Sequence, residues 1–255
     1  MIARTAFVIG PGEVGRRLAS GLEQAGWQVN RATRTQGWDA ALSATGCPRI
    51  LAMREEDVVA AFRRFPEAAR RDLVLVQNGF LEVGLGAELQ GVTRGLIWFT
   101  AKGEFFLPLR PSLIHGPWAQ QLASAWRHAG LQFEVVPDAR TFQREMIIKG
   151  IWNCVVGLPL AVHGVDLATY QQRFPDEIAQ IAQEACRACA AEYGVDIPPS
   201  EVLECIAATT AELGWVATQK AKALPWRNGA IAAFGRNHGV ATPTTDRLLG
   251  AAGEG

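Results

Sequence analysis

The sequence predicts an α/β fold in two parts: a doubly wound, largely parallel sheet over residues 1–140, then an all-helical domain over 141–255. Three observations carry this. Short β-rich apolar runs alternate with segments of helical period as far as Pro137-Asp138. A Gly10-x-Gly12-x-x-Gly15 turn sits between the first run and the first helical segment. From Phe142 onward strand signals vanish, and apolar helical stretches follow one another, broken by Gly and Pro.

Residues 5–9 (TAFVI) read as a buried strand. Residues 13–25 carry Val14, Leu18, Leu22 and Ala25 at helical spacing, and Gly26 ends them. Strands follow at 27–33, 49–53 and 73–77, the last closed by Asn78-Gly79. Glu55, Glu56 and Asp57 open a helix between the last two, where acids suit the positive end of the dipole. Further strands are expected at 96–100, 105–109 and 132–136, with a helix at 118–129. The second part reads as helices at 142–158, ended by Pro159, and at 175–193, 199–213 and 224–238, with residues 250–255 frayed.

The chain of 255 residues is 49% hydrophobic, enough to bury a core. Its 25 basic and 25 acidic residues cancel, which argues against nucleic acid or an anionic membrane as the main partner. No apolar run is expected to span a membrane, and no signal peptide is visible. The five cysteines are odd in number and irregularly spaced, so a reducing, cytoplasmic home is expected rather than a disulfide framework. Cys186-x-x-Cys189 lies in an amphipathic stretch and reads as buried small hydrophobes. No metal-ligand spacing is present, and His163 reads as a loop residue or as a wall of the site.

The Gly10-Pro11-Gly12-Glu13-Val14-Gly15 turn stands where a dinucleotide pyrophosphate is held. The first glycine permits the turn, the second lets backbone approach phosphate, and the third lets the helix pack on the strand. Free N–H groups and the helix dipole favour the anion. NAD sites place an acid about 20 residues on, to bind the ribose 2′-hydroxyl. Here no acid lies between Gln28 and Gln36, and Arg31 and Arg34 favour the 2′-phosphate of NADP(H) instead. Arginines that follow a strand by chance are the other reading. Arg54 and Asn78 end strands and should face the cofactor, although Asn-Gly is also an ordinary turn dipeptide.

Lysine occurs only at 102, 149, 220 and 222. Lys149 and Asn153, four residues apart, share one face of an otherwise apolar helix. A lysine there needs a partner or a polar cleft, or else snorkels to water. Burial favours its neutral form and makes it a better proton donor.

With these residues the sequence resembles the ketopantoate reductases (2-dehydropantoate 2-reductases), of the 6-phosphogluconate dehydrogenase-like superfamily. The resemblance rests on the glycine turn, Gln77-Asn78-Gly79, Lys149-x3-Asn153-Cys154 and Asn228-Gly229. It implies a Rossmann-type domain holding NADP(H), and an active site in the cleft between that domain and the helical one. It further implies Lys149 as proton donor, Asn153 on the substrate, and Asn78 on the cofactor. Arg34 would hold the 2′-phosphate, and Arg54 stands where the family usually has a cofactor-side Lys. Two departures stand out: Gly157 replaces the family's second Asn, and residues 222–229 lack its Glu. The family's Ser segment is shortened, leaving Thr210 and Thr218 as nearby hydroxyls. Cofactor binding and proton donation thus look retained, and substrate recognition rebuilt. The expected reaction is NADPH-dependent reduction of a small 2-oxo acid. The alternatives are reduction of another carbonyl or an imine, and a non-catalytic NADPH sensor. A homodimer is compatible with the apolar helical domain.

Overall fold

The computed structural model describes residues 4–10, 12–33, 35–218 and 220–253, and the chain divides into two compact units. One holds residues 1–77 and 84–142, the other residues 78–83 and 143–255.

The first unit is built on β1 (Thr5–Ile9), α1 (Glu13–Gln24), β2 (Gln28–Ala32), α2 (Trp38–Ser43), β3 (Arg49–Leu51), α3 (Glu55–Arg63) and β4 (Leu73–Leu75). Then come α4 (Glu82–Leu85, whose first two residues belong to the other unit), β5 (Thr93–Leu96), β6 (Phe99–Lys102), β7 (Phe105–Pro108), β8 (Ser112–His115), α5 (Ala119–Arg127) and β9 (Phe133–Val135). Seven strands form one sheet in the order β2-β1-β3-β4-β5-β8-β9. Every pairing in it is parallel except β5 with β8. The α/β, doubly wound expectation is met, with one antiparallel step added. The run at 96–100 is two elements: β5 ends at Leu96, and Phe99 begins a separate β6–β7 hairpin. Between them Trp98 donates its N–H to Ser112 Oγ and accepts from Leu109 N, so the backbone turns while the apolar run continues. Strand β8 escaped the sequence reading because its four residues follow directly on Pro111.

Side chains explain the layering. In β1, Ala6 and Val8 face a core with Leu18 and Leu22 of α1 and Leu122 and Trp126 of α5. Phe7 and Ile9, equally buried, point to the other face, as the two-residue period requires. The Trp126 indole donates to Leu18 O at 3.0 Å, which satisfies its one polar atom inside the core.

The second unit comprises α6 (Ala139–Val156, which begins in the first unit), α7 (Leu158–His163), α8 (Leu167–Arg173), α9 (Pro175–Tyr193), α10 (Pro199–Leu213), α11 (Asn228–His238) and α12 (Pro243–Gly253). Helix α6 stops at Val156, before the expected Pro159; that proline instead opens α7, where its missing N–H is no loss. The expected fraying at 250–253 is not seen, because α12 runs to Gly253. Its N-terminus is held by Glu184 of α9, a buried carboxylate accepting from Thr244 N (2.8 Å), Thr245 N (2.9 Å) and Thr245 Oγ1 (2.8 Å). Ala139–His163 has a mean hydropathy of 1.4 over its most apolar window, enough by length and composition to cross a membrane, contrary to the sequence expectation. That window is 72% buried, as in a core helix.

The short segment 78–83 completes this unit. Phe80, fully buried, meets Phe234 edge-on at 5.6 Å and Tyr193 at 6.3 Å. Its N–H donates to Trp226 O at 2.8 Å. A Cβ at Gly150 of α6 would lie 2.8 Å from two Phe80 ring carbons, so only glycine lets ring and helix meet. Gly150→Ala should cost about 1–3 kcal/mol of stability through overpacking, read by urea denaturation.

Candidate active site

The sheet order reverses between β1 and β3, and the glycine turn leaves β1 at that switch point. Gly10, at φ +93°, donates its N–H to Ala32 O at 3.0 Å, and a Cβ on it would lie 2.7 Å from Ala52 O. A Cβ on Gly15 would overlap the Gly10 carbonyl and approach Ala52 Cβ to 3.1 Å. Both positions need glycine for packing within the protein. Gly12 differs: it caps α1, and a Cβ there would meet nothing within 4 Å. This open cradle at a helix N-terminus fits a dinucleotide pyrophosphate, which needs close approach to backbone N–H groups. Val14 packs against the core. The Glu13 carboxylate is engaged by Arg16 at 2.6 Å and by Gly103 N at 3.1 Å, leaving its backbone as its contribution to the turn. Pro11 lies outside the described residues.

The two arginines after β2 part company. Arg31 makes a two-pronged pair with Glu23 of α1, at 2.6 and 2.8 Å. That hydrogen bond raises the Arg31 pKa and lowers that of Glu23. Its guanidinium fork is therefore filled. Arg34 lies outside the described residues. Arg54, just beyond β3, caps α3 and is exposed, with no ion pair or hydrogen bond to its side chain among the described residues. Gln77, part of the Gln77-Asn78-Gly79 motif, braces this end of the sheet. Its buried amide donates to Leu51 O (2.7 Å) and Met53 O (2.8 Å) and accepts from Val76 N (3.1 Å).

In the second unit, Lys149, Trp152 and Asn153 of α6 are all buried. The Lys149 Nζ stands 3.6 Å from the Trp152 ring centroid. The Trp152 indole N–H donates to Thr209 Oγ1 of α10 at 2.7 Å. Asn153 Nδ2 donates to Asn78 O at 3.2 Å, so the two predicted asparagines are joined. One residue on, Cys154 O accepts from the buried Asn228 Nδ2 at 3.2 Å, which ties the start of α11 to α6. The Cys154 thiol is buried, and burial pushes its pKa up to about 12, which keeps it protonated.

No protein-family model matches the chain, and no curated protein matches it in sequence. Solved structures do. D-mandelate dehydrogenase in complex with NADH aligns at a TM-score of 0.75 and 17% identity, over 98% of this chain and 98% of that one. The 2-dehydropantoate 2-reductase of Methylococcus capsulatus aligns at 0.73 and 18%, over 95% and 94%. A dimeric ketopantoate reductase from Staphylococcus aureus aligns at 0.74 and 18%, over 96% of each chain. The chain has the ketopantoate reductase fold.

Against that fold the departures acquire causes. Gly157 caps α7 where α6 breaks, and a Cβ there would lie 2.8 Å from Asn153 O. In this broken backbone glycine stands where the resemblance leads one to expect an asparagine. Between Lys222 and Gly229 the chain forms a 3-10 turn, Leu224–Trp226, preceded by Ala223 at φ +53°. A non-glycine residue in this region carries about 1 kcal/mol of strain. The Thr210 hydroxyl is spent on Ile206 O at 2.8 Å, while Thr218 Oγ1 reaches Val156 O at the broken end of α6, a long 3.5 Å.

Two side readings resolve. His163 is bound to Glu177 at 2.8 Å and stacked on Phe174, so it belongs to a packing cluster. In that cluster burial pushes the Glu177 pKa up, but hydrogen bonds from Arg247, Tyr170 and His163 outweigh this and hold it below the usual range. Cys186 and Cys189 are buried free thiols raised by desolvation. No group of His, Cys, Asp and Glu able to hold a metal occurs among the described residues.

Proposed function

We propose that the chain is an NADPH-dependent reductase of a small 2-oxo acid, with Lys149 as proton donor. One observation carries this reading: a buried ammonium stands one helical turn from a buried amide that is tied to Asn78. The lysine and the amide lie on one face of α6, where both can reach one bound group. When bound, the reduced nicotinamide supplies a hydride to the keto carbon. Lys149 gives a proton to the carbonyl oxygen, so that C=O becomes the C–OH of a 2-hydroxy acid, and its charge stabilises the developing alkoxide. Asn153 and Asn78 orient the reacting groups. Gly12 and the α1 N-terminus hold the pyrophosphate.

The test is NADPH oxidation by the purified protein, followed by nicotinamide absorbance, with ketopantoate and then other 2-oxo acids. Saturable oxidation supports the reading. Its absence across the panel, with cofactor binding shown by tryptophan quenching, would favour the sensor. Gly157 specifically favours a substrate other than ketopantoate, because the position cannot offer the expected amide.

Preference for NADPH rests on Arg34, since Arg31 is filled by Glu23. Arg34→Ala should weaken NADPH by about tenfold or more and leave NADH nearly unchanged, whereas Arg31→Ala should alter neither greatly. Equal losses for both cofactors in fluorescence titrations of Arg34→Ala would remove the 2′-phosphate assignment. The NADH bound by the D-mandelate dehydrogenase makes NADH the necessary comparison.

A further inference from the structure

The geometry points to Trp152, anchored by Thr209, as the positioning residue that seats the Lys149 ammonium. This rests on the reading of Lys149 as proton donor. Lysine and tryptophan are three residues apart on α6 and share a face. The 3.6 Å separation of Nζ from the ring centroid is well within the roughly 6 Å reach of a cation–π contact. The far edge of the indole is pinned through Nε1 to Thr209 Oγ1. Thr209 is itself buried and donates its single proton back to its own helix, to Cys205 O at 2.9 Å or Ile206 O at 3.1 Å. Its oxygen is therefore left to accept from the indole, and the ring is anchored at Nε1 by a second helix.

This arrangement suits a proton donor. A flexible four-carbon stem must deliver its ammonium to one place. A π face attracts the cation, accepts no proton in return, and replaces part of the hydration lost on burial. The seat is made by an aromatic ring of the same helix, and the neighbouring helix α10 holds that ring through Thr209.

The test does not depend on turnover alone. With only four lysines, protein labelled with 13C at the lysine ε carbon gives four ε-methylene signals, and Lys149→Arg identifies the one from Lys149. In the wild type that signal should be displaced upfield by the indole ring current. Trp152→Leu should return it to the position of the other lysines and lower kcat by about tenfold, with the KM for NADPH unchanged. Trp152→Phe should restore part of both, because it keeps a π face. Thr209→Val, nearly isosteric, should broaden or reduce the displacement; should Trp152→Leu fail to fold, this variant and Trp152→Phe decide. An undisplaced Lys149 signal in the wild type, or a displaced one that Trp152→Phe and Thr209→Val leave unaltered, overturns the seat. If the displacement follows Trp152 while Lys149→Met turns over normally, the seat stands and the proton-donor reading falls.

Discussion

Lys149→Ala should lower kcat for the 2-oxo acid that is turned over by about 10²–10⁴-fold, the range supplied by a positioned general acid. NADPH affinity should survive, because the cofactor cradle at Gly10, Gly12 and Gly15 belongs to the other compact unit. Lys149→Met keeps most of the buried stem and should fold as well as the wild type or better, since an ammonium is removed from the interior. A kcat loss shared by both variants, with tryptophan quenching by NADPH unchanged, assigns the effect to the ammonium. Wild-type turnover in either variant would end the mechanism proposed for this site.

Gly15→Ala should be nearly as damaging, by a different route. The added methyl would overlap a backbone carbonyl, that of Gly10, which cannot rotate aside. A loss of about 3 kcal/mol is expected, lowering the melting temperature by about 6–12 °C. Gly12→Ala makes the contrast. Its methyl meets no protein atom within 4 Å, so stability should change by less than about 1 kcal/mol. NADPH affinity should nonetheless fall by about tenfold or more, because the methyl stands where phosphate must approach backbone. If calorimetry shows Gly12→Ala to be as destabilised as Gly15→Ala, the cradle is a packing feature and the cofactor assignment loses its support.

The α/β class, the glycine turn and the Lys149–Asn153 face were all legible because each is set by local spacing. Strand β1 and helix α1 declare themselves by period, and a turn of three glycines has few other uses. What the sequence hid depends on distant parts of the chain. Nothing around Trp152 signals that its indole N–H meets Thr209, because the partner lies on α10. Arg31 looks like a phosphate ligand until Glu23, on the neighbouring helix, is seen to occupy it. Pro159 reads as a terminator by propensity, yet it also suits the first turn of a new helix, and only the bend at Gly157 decides between the two. Glu184 lies on an amphipathic helix and carries no local sign that α12, sixty residues on, begins against it.

The assignment of residues 78–83 to the helical unit bears on how the chain can be made. Phe80 leaves the ribosome long before Tyr193 and Phe234, the rings it is to meet, and at ordinary elongation rates the delay is on the order of ten seconds or more. During that interval a large apolar side chain beside β4 has no native berth. The first unit can complete its sheet meanwhile, but the helical unit inherits a component from the part synthesised first. Cutting the gene near codon 140 would therefore not release two self-sufficient proteins. The downstream fragment would fold, if at all, around a void the size of a phenyl ring, and the upstream one would display the ring that fills it.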